Sequence, residues 1–335
     1  MAVSGGDLPD EGAASPATRG RVVGFAGFRR GVTDLARSVA FYRDGLGFMP
    51  QAMEADTRWP STASISSLAS LRRARLRLGA QVIELVEYPA AAWRRSPPGA
   101  IDAGFQHLAI VAVDMAAAHA RVMACGPASL TRGTAPVQLP ASAGGVSAFK
   151  FLDPDGHPLE LIHFPPGSGN TLWQQPGAGA GPTLGIDHSA IVVANAARSI
   201  AFYCEGLGFT NHARQVNHGA TQDQLDGLKQ VTVEVVALQP AGRPTPHLEL
   251  LCYRNPMPLP ADLGRWADRL LWWADDPRVI ADQVHQVATG LEVELRDPDG
   301  HIHLLWGPDS TQFSTPTSFC PFGAAADPLL SWAAE

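Results

Sequence analysis

Along the chain, the spacing of apolar positions changes in the same order several times. In GIDHSAIVVANAARSIAFYCEGLGF the β-branched run from Ile186 to Val193 has the character of a strand. Ser199, Ile200, Phe202 and Tyr203 then recur at helical spacing with one apolar face. Gly206 and Gly208 end that helix, where a left-handed residue is needed and glycine adopts it without a Cβ clash. An earlier stretch repeats the pattern, with Asp34 near the helix start and Gly45 and Gly47 at its end. FQHLAIVAV (105–113) predicts a further strand, and MAAAHARVMACG (115–126) a helix closing on glycine. Asp155-Gly156 stands between VSAFKFL and PLELIHF, and Asp299-Gly300 between LEVELR and HIHLLW; both are tight-turn signals that predict hairpins.

Strand, helix and following strands therefore succeed one another over 22–88, 105–165, 185–253 and 266–306. The repetition is also literal. SVAFYRDGLGF (38–48) returns as SIAFYCEGLGF (199–209), and FLDPDGH (151–157) as LRDPDGH (295–301). The expected organisation is a disordered tail over 1–20, a first half at 21–166, a linker at 167–184, a second half at 185–306 and a C-terminal tail at 307–335.

Composition narrows the function classes. Hydrophobic residues make up 45% of the 335 and charged residues 17%, enough to bury a real core. The net charge of −7 argues against a nucleic-acid partner, which needs a basic face against phosphates. No apolar run approaches the ~18 residues of a membrane span, and the N-terminus lacks the pattern of a secretory signal. A soluble cytoplasmic protein is the expectation. Cys125, Cys204, Cys252 and Cys320 lie far apart without a CxxC, which predicts free, mostly buried thiols. Arg75 and Arg77, alternating in RLRLG, fit the solvated face of a strand better than an anion site. No phosphate loop, nucleophile elbow or dinucleotide fingerprint is present.

Four such units, with FYxxGLGF after a first helix and DPDGHxLEL on a last hairpin, resemble the vicinal oxygen chelate superfamily. That group includes glyoxalase I, fosfomycin and bleomycin resistance proteins, methylmalonyl-CoA epimerase and extradiol dioxygenases. The resemblance implies an α+β fold of four βαβββ units forming two cupped mixed β-sheet domains. It also implies metal ligands at two places per unit, the start of the first strand and a Glu in the last strand. The second unit matches both places with His107 and Glu160, and the third with His188 and Glu249. The first unit offers Glu84 but has Gly27 where a His should stand. In the fourth, counting back from the shared acid puts Asp268 at the His place, and Leu304 replaces the Glu.

How the units pair decides the site. Pairing in chain order gives Glu84, His107 and Glu160 in one half, and His188 and Glu249 in the other. Crossed pairing of the second and third units collects His107, Glu160, His188 and Glu249. Each Glu lies in an apolar strand, and an unpaired buried carboxylate costs several kcal/mol, which favours the crossed arrangement.

The implied cofactor is one divalent ion (Fe, Mn, Ni or Zn) with two coordination positions left open. The implied chemistry is stabilisation of an enolate or catecholate from a small molecule with adjacent oxygens, as in a glyoxalase, isomerase or lyase, with Glu160 or Glu249 as base. Extradiol ring cleavage with Fe(II), and a non-catalytic resistance-type binding protein, stand as alternatives. The resemblance leaves a homodimer open.

Other residues have weaker claims. His218, Gln222 and Asp226, in the polar stretch 217–227, are candidates to contact substrate or to form a solvated loop. His247 shares a strand face with Glu249. His157, His301 and His303 fit hairpin ends, His119 the surface, and Trp272 and Trp273 the core.

Overall fold

A computed structural model describes residues 19–51, 71–88, 99–174, 181–258, 268–287 and 293–307. Most of both predicted tails, and Cys320, lie outside these residues. The first unit contains β1 (Val22–Val32), α1 (Leu35–Leu46), β2 (Met49–Pro50), β3 (Arg73–Leu78) and β4 (Gln81–Glu87). The second contains β5 (Gln106–Ala112), α2 (Met115–Met123), β6 (Ala128–Ser129), β7 (Val137–Gln138), β8 (Ser147–Leu152) and β9 (Pro158–His163). The third runs β10 (Thr183–Val192), α3 (Ala196–Ala201), β11 (Thr210–His218), α4 (Ala220–Leu225), β12 (Thr232–Gln239) and β13 (His247–Asn255). The fourth is β14 (Arg269–Ala274), α5 (Pro277–Gln283), β15 (Val293–Arg296) and β16 (Ile302–Trp306).

Four helices start alike, because the residue before each is a short acid or amide whose side chain accepts a backbone N–H of the first turn. The residues are Asp34, Asp114, Asn195 and Asp276.

Hydrogen bonding gathers the strands into two mixed sheets. The seven-stranded sheet has the order β15-β16-β14-β1-β4-β3-β2, and the nine-stranded sheet runs β11-β12-β13-β10-β5-β9-β8-β6, with β7 on β8. Each sheet thus takes one unit from each half of the sequence. β1 meets β14 antiparallel, and β5 meets β10 antiparallel. The first unit pairs with the fourth, and the second with the third.

The repeated motifs act in the other direction, between units that are neighbours in sequence. The Tyr42 hydroxyl donates to Asp153 at 2.8 Å, and the Tyr203 hydroxyl to Asp297 at 2.8 Å. Ser38 and Arg37 reach Asp155; Ser199 and Arg198 reach Asp299. His157 donates to the carbonyl of Gly31, and His301 to that of Val192. FYxxGLGF therefore docks on DPDGH of the following unit, and the two motifs recur together because each satisfies the other. His157 and His301 do lie at hairpin ends, but as buried clasps between units.

The strand period explains the neighbouring arginines of FRRG. Arg29 and Arg30 are both buried and point to opposite faces of β1. Arg30, on the helix-covered face, donates through Nε to Asp268 at 2.9 Å and through Nη1 to Tyr42 at 2.6 Å. Asp268 also lies 3.2 Å from Nδ1 of His157. On that face the core is one cluster shared by both sheets and their helices, including Phe28, Tyr42, Phe48, Leu108, Ile186, Tyr203, Leu248 and Trp272. Trp272 is core as expected; Trp273 packs with Trp306 on the opposite face.

His303 is also in this layer. Its Nδ1 accepts from the Trp272 indole at 3.0 Å and its Nε2 bonds the Tyr203 hydroxyl at 2.9 Å, which fixes a neutral ring. Burial pushes this imidazole down to about 4. The unfolded chain takes up a proton below an ordinary histidine pKa of about 6.5, whereas the folded protein does so only near the lowered value. Stability from this group is therefore intact above that ordinary value and falls with pH through the interval between the two, by roughly 3 kcal/mol. Urea unfolding of the wild type and of His303→Gln, measured from pH 7 to 4, should show the variant with the flatter pH dependence. Parallel curves would show that His303 does not titrate this way.

Candidate metal centre

One face of the nine-stranded sheet carries the polar centre. β5 and β10 place His107 opposite Ala190 and His188 opposite Ala109. β9 lies parallel to β5 with Glu160 beside Ala109, and β13 lies parallel to β10 with Glu249 beside Ala190. The two halves of the site are thus related by the register of the sheet, which gathers His107, Glu160 and His188 and sets Glu249 beside His188. Nε2 of His107 is 2.8 Å from Oε2 of Glu160, and Nε2 of His188 is 4.0 Å from the same oxygen and 3.5 Å from Oε2 of Glu249. The imidazole centroids are 5.8 Å apart.

A β-bulge adds an acid that the sequence reading passed over. The register slips between Ile186 and His188, so Asp187 is turned toward the His188 ring. Asp187 Oδ2 accepts from Nδ1 of His188 at 2.9 Å, which fixes the ring orientation and leaves Nε2 facing the two glutamates. Burial opposes charge on His188, yet Glu249, Asp187 and Glu160 raise it to about 9. Burial would also raise Glu249, but His188 and His247 hold it down to about 2. Glu160 stays below the ordinary carboxyl range against its burial, through Lys150, His107 and His188.

Lys150 is the second residue missed. It faces Glu160 across the β8–β9 pair and forms a buried ion pair with Asp226 at 2.7 Å, itself bonded by Tyr253 and Gln222. The signal was a lysine on the inner face of an otherwise apolar strand, AFKFL.

The weaker candidates divide. Gln222 is buried and holds Asp226, and Asp226 closes the α4 loop onto Lys150. His218 is exposed at the end of β11, outside the cluster. His247 Nε2 is 3.5 Å from Oε1 of Glu249. His119 is half-buried, its ring on Phe149.

The seven-stranded sheet is the same arrangement without the ligands. Arg29 and Arg269 stand opposite one another as Ala109 and His188 do, so Arg269 occupies the His place of the fourth unit. This corrects the assignment of Asp268 to that place: the cap of α5 is Asp276, one residue later than the count assumed. Leu304 is buried at the Glu place, as read. A Cβ on Gly27 would come within 2.5 Å of the Val82 carbonyl oxygen, so no ligand side chain fits there. Glu84, the alternative ligand, belongs to this other sheet, away from the strands of His107 and Glu160. Its carboxylate takes Arg29 Nε at 2.8 Å, with Arg75 3.9 Å away. Here a guanidinium supplies the positive charge that the buried acid requires.

Whether the four-residue cluster suits an ion can be tested on its own atoms. Both ring nitrogens of His107 are buried without a hydrogen-bond partner, although Glu160 is close, because the geometry between them is not that of an N–H···O bond. Ligands at about 2.1 Å from one ion are separated by about 3 Å along the edges of its polyhedron. The spacings of 2.8, 3.5 and 4.0 Å bracket that value. His107, Glu160 and His188 bring ligand atoms within 4.8 Å of one another, with Glu249 beside His188, and this imidazole and carboxylate donor set suits a divalent ion.

Comparison with known proteins agrees with the fold. The family model for the Glyoxalase/Bleomycin resistance protein/Dioxygenase superfamily matches residues 24–161 and 185–303. Glyoxalase I from Zea mays is a similar solved structure, with a TM-score of 0.57, 18% identity, and coverage of 87% of this chain and 93% of that one. A Bacillus subtilis protein provisionally described as a dioxygenase has a TM-score of 0.54 at 13% identity, covering 85% of each chain. No curated protein matches the chain.

Proposed function

Because the chain belongs to the Glyoxalase/Bleomycin resistance protein/Dioxygenase superfamily, we propose that it is a metal-dependent enzyme whose nine-stranded cup acts on a small molecule with adjacent oxygens. His107, Glu160, His188 and Glu249 would hold one divalent ion. The observation that carries this reading is the buried, unbonded His107 imidazole held beside Glu160, a pairing whose cost an ion between them removes. When bound, such an ion supplies a Lewis acid for two neighbouring substrate oxygens.

The two carboxylates are suited to different work. Glu160 is enclosed, its side chain 7% exposed, and it is flanked by Lys150 and both imidazoles. Glu249 keeps 22% of its side chain exposed, next to His247, so the cup opens on that side. Substrate approaches there, and Glu249 takes the proton from the hydroxyl-bearing carbon next to the carbonyl while His247 orients its carboxylate. Lys150 holds Glu160 ionised and fixed. This gives the base to Glu249 of the two residues that the resemblance put forward.

The test is metal content together with proton exchange. The purified chain should carry about one divalent ion. With that ion bound, it should wash solvent deuterium into the hydroxyl-bearing carbon of a panel of α-hydroxyketones. Glu249→Gln should slow this exchange by 10²–10⁴-fold, the usual weight of a general base. A chain that binds no ion sinks the proposal. Oxygen uptake with Fe(II) and a catechol would turn it to extradiol ring cleavage. Tight binding without exchange or uptake would leave a binding protein.

A further inference from the structure

We infer that Trp173, on the joint between the second and third units, is a positioning residue of the metal centre, acting through Asp187 on His188. The inference rests on the metal reading above. Trp173 lies in a short 3₁₀ turn, Thr171–Gln174, outside the repeated units. Its indole N–H donates to Oδ1 of Asp187 at 2.5 Å, and the other oxygen of that carboxylate takes Nδ1–H of His188 at 2.9 Å. The chain of contacts thus runs from the linker to the face of the ring that looks away from the glutamates.

Three observations give the contact weight. Asp187 is a bulged residue, buried to 4% exposure, so its orientation must come from side-chain partners rather than from the ladder. A competing partner is near: Nδ1 of His247 lies 3.9 Å from the same oxygen that holds His188. Without the indole on Oδ1, the carboxylate can rotate toward His247 and let the His188 ring turn. Finally, the turn is itself anchored. Asn170 donates to the Thr245 hydroxyl at 2.8 Å and accepts from the backbone of Leu172, and the Trp173 ring lies over Gly185, where an added Cβ would meet it at 3.1 Å.

An outer partner that orients a histidine ligand typically contributes 10–100-fold to metal affinity. Titration with Co(II), followed by its visible absorption and by calorimetry, reads this in the full chain. Trp173→Phe and Asp187→Asn should each weaken binding by 10–100-fold and shift the Co(II) band. The double variant should be no weaker than Asp187→Asn alone, because both act through one contact. If Trp173→Phe fails to fold, benzothienylalanine at position 173 keeps the ring shape and removes only the N–H, and should give the same loss. Binding by either variant at wild-type strength, or additive losses, would overturn the role of Trp173 while leaving the metal site intact. Failure of the wild-type chain to bind Co(II) would overturn the metal reading itself, and the inference with it.

Discussion

Replacing His107 or His188 by alanine is expected to remove the bound divalent ion altogether. The partners of a metal-bound histidine are worth 10–100-fold in affinity, and loss of the ligand itself exceeds that. The two variants should also differ from each other. His107 touches only Glu160 among the polar side chains of the cluster, so His107→Ala deletes a ligand and little else that holds the sheet. His188→Ala also strands Asp187, whose Oδ2 loses its bond, and should cost the metal-free chain stability as well as its ion. His119→Ala, on the helix side of the sheet, is the control and should leave metal content unchanged. Elemental analysis of the three purified variants, with thermal unfolding in chelator, checks both statements. Retention of the ion by either cluster variant would place the metal elsewhere.

The second large effect lies on the opposite sheet. Asp268→Ala should destabilise the fold by about 3–5 kcal/mol, because it leaves the buried Arg30 guanidinium without its main counterion. Burial opposes the charge of Arg30, and Asp268, with help from Tyr42 and Asp153, raises its pKa far above the ordinary range. Removing both charges should be milder: Arg30→Met with Asp268→Leu recovers a large part of the loss, since neither group is then stranded. Urea unfolding of both variants decides it. A loss below about 1 kcal/mol, the scale of an exposed ion pair, would mean that water reaches Arg30.

What could be read from the sequence was local. The Asp-Gly turns, the helix caps and the change from period two to period 3.6 are written in adjacent residues, and they gave the four units in order. The ligands of the second and third units were legible because family positions survive there on both strands. The acid at position 187 was not, since a bulge depends on how two strands slip past each other, and that slip has no local signature. The fourth unit was misjudged by one residue for a similar reason: two acids, Asp275 and Asp276, precede α5, and only the structure shows which of them caps it. Lys150 and Trp173 needed the partner strand or the folded-back linker before their contacts could be seen.

The crossing of sheet pairs and motif pairs has a consequence for how the chain could be divided. Sheets join the first unit to the fourth and the second to the third, while the Tyr-to-Asp contacts join first to second and third to fourth. The four units form a closed ring, and every cut leaves two open joints. A polypeptide of one half alone could close the same ring only around a copy of itself, which would make two identical cups. Carrying both copies on one chain lifts that identity, so one cup can keep its imidazoles while the other fills with Arg29 and Glu84 and serves as a wall.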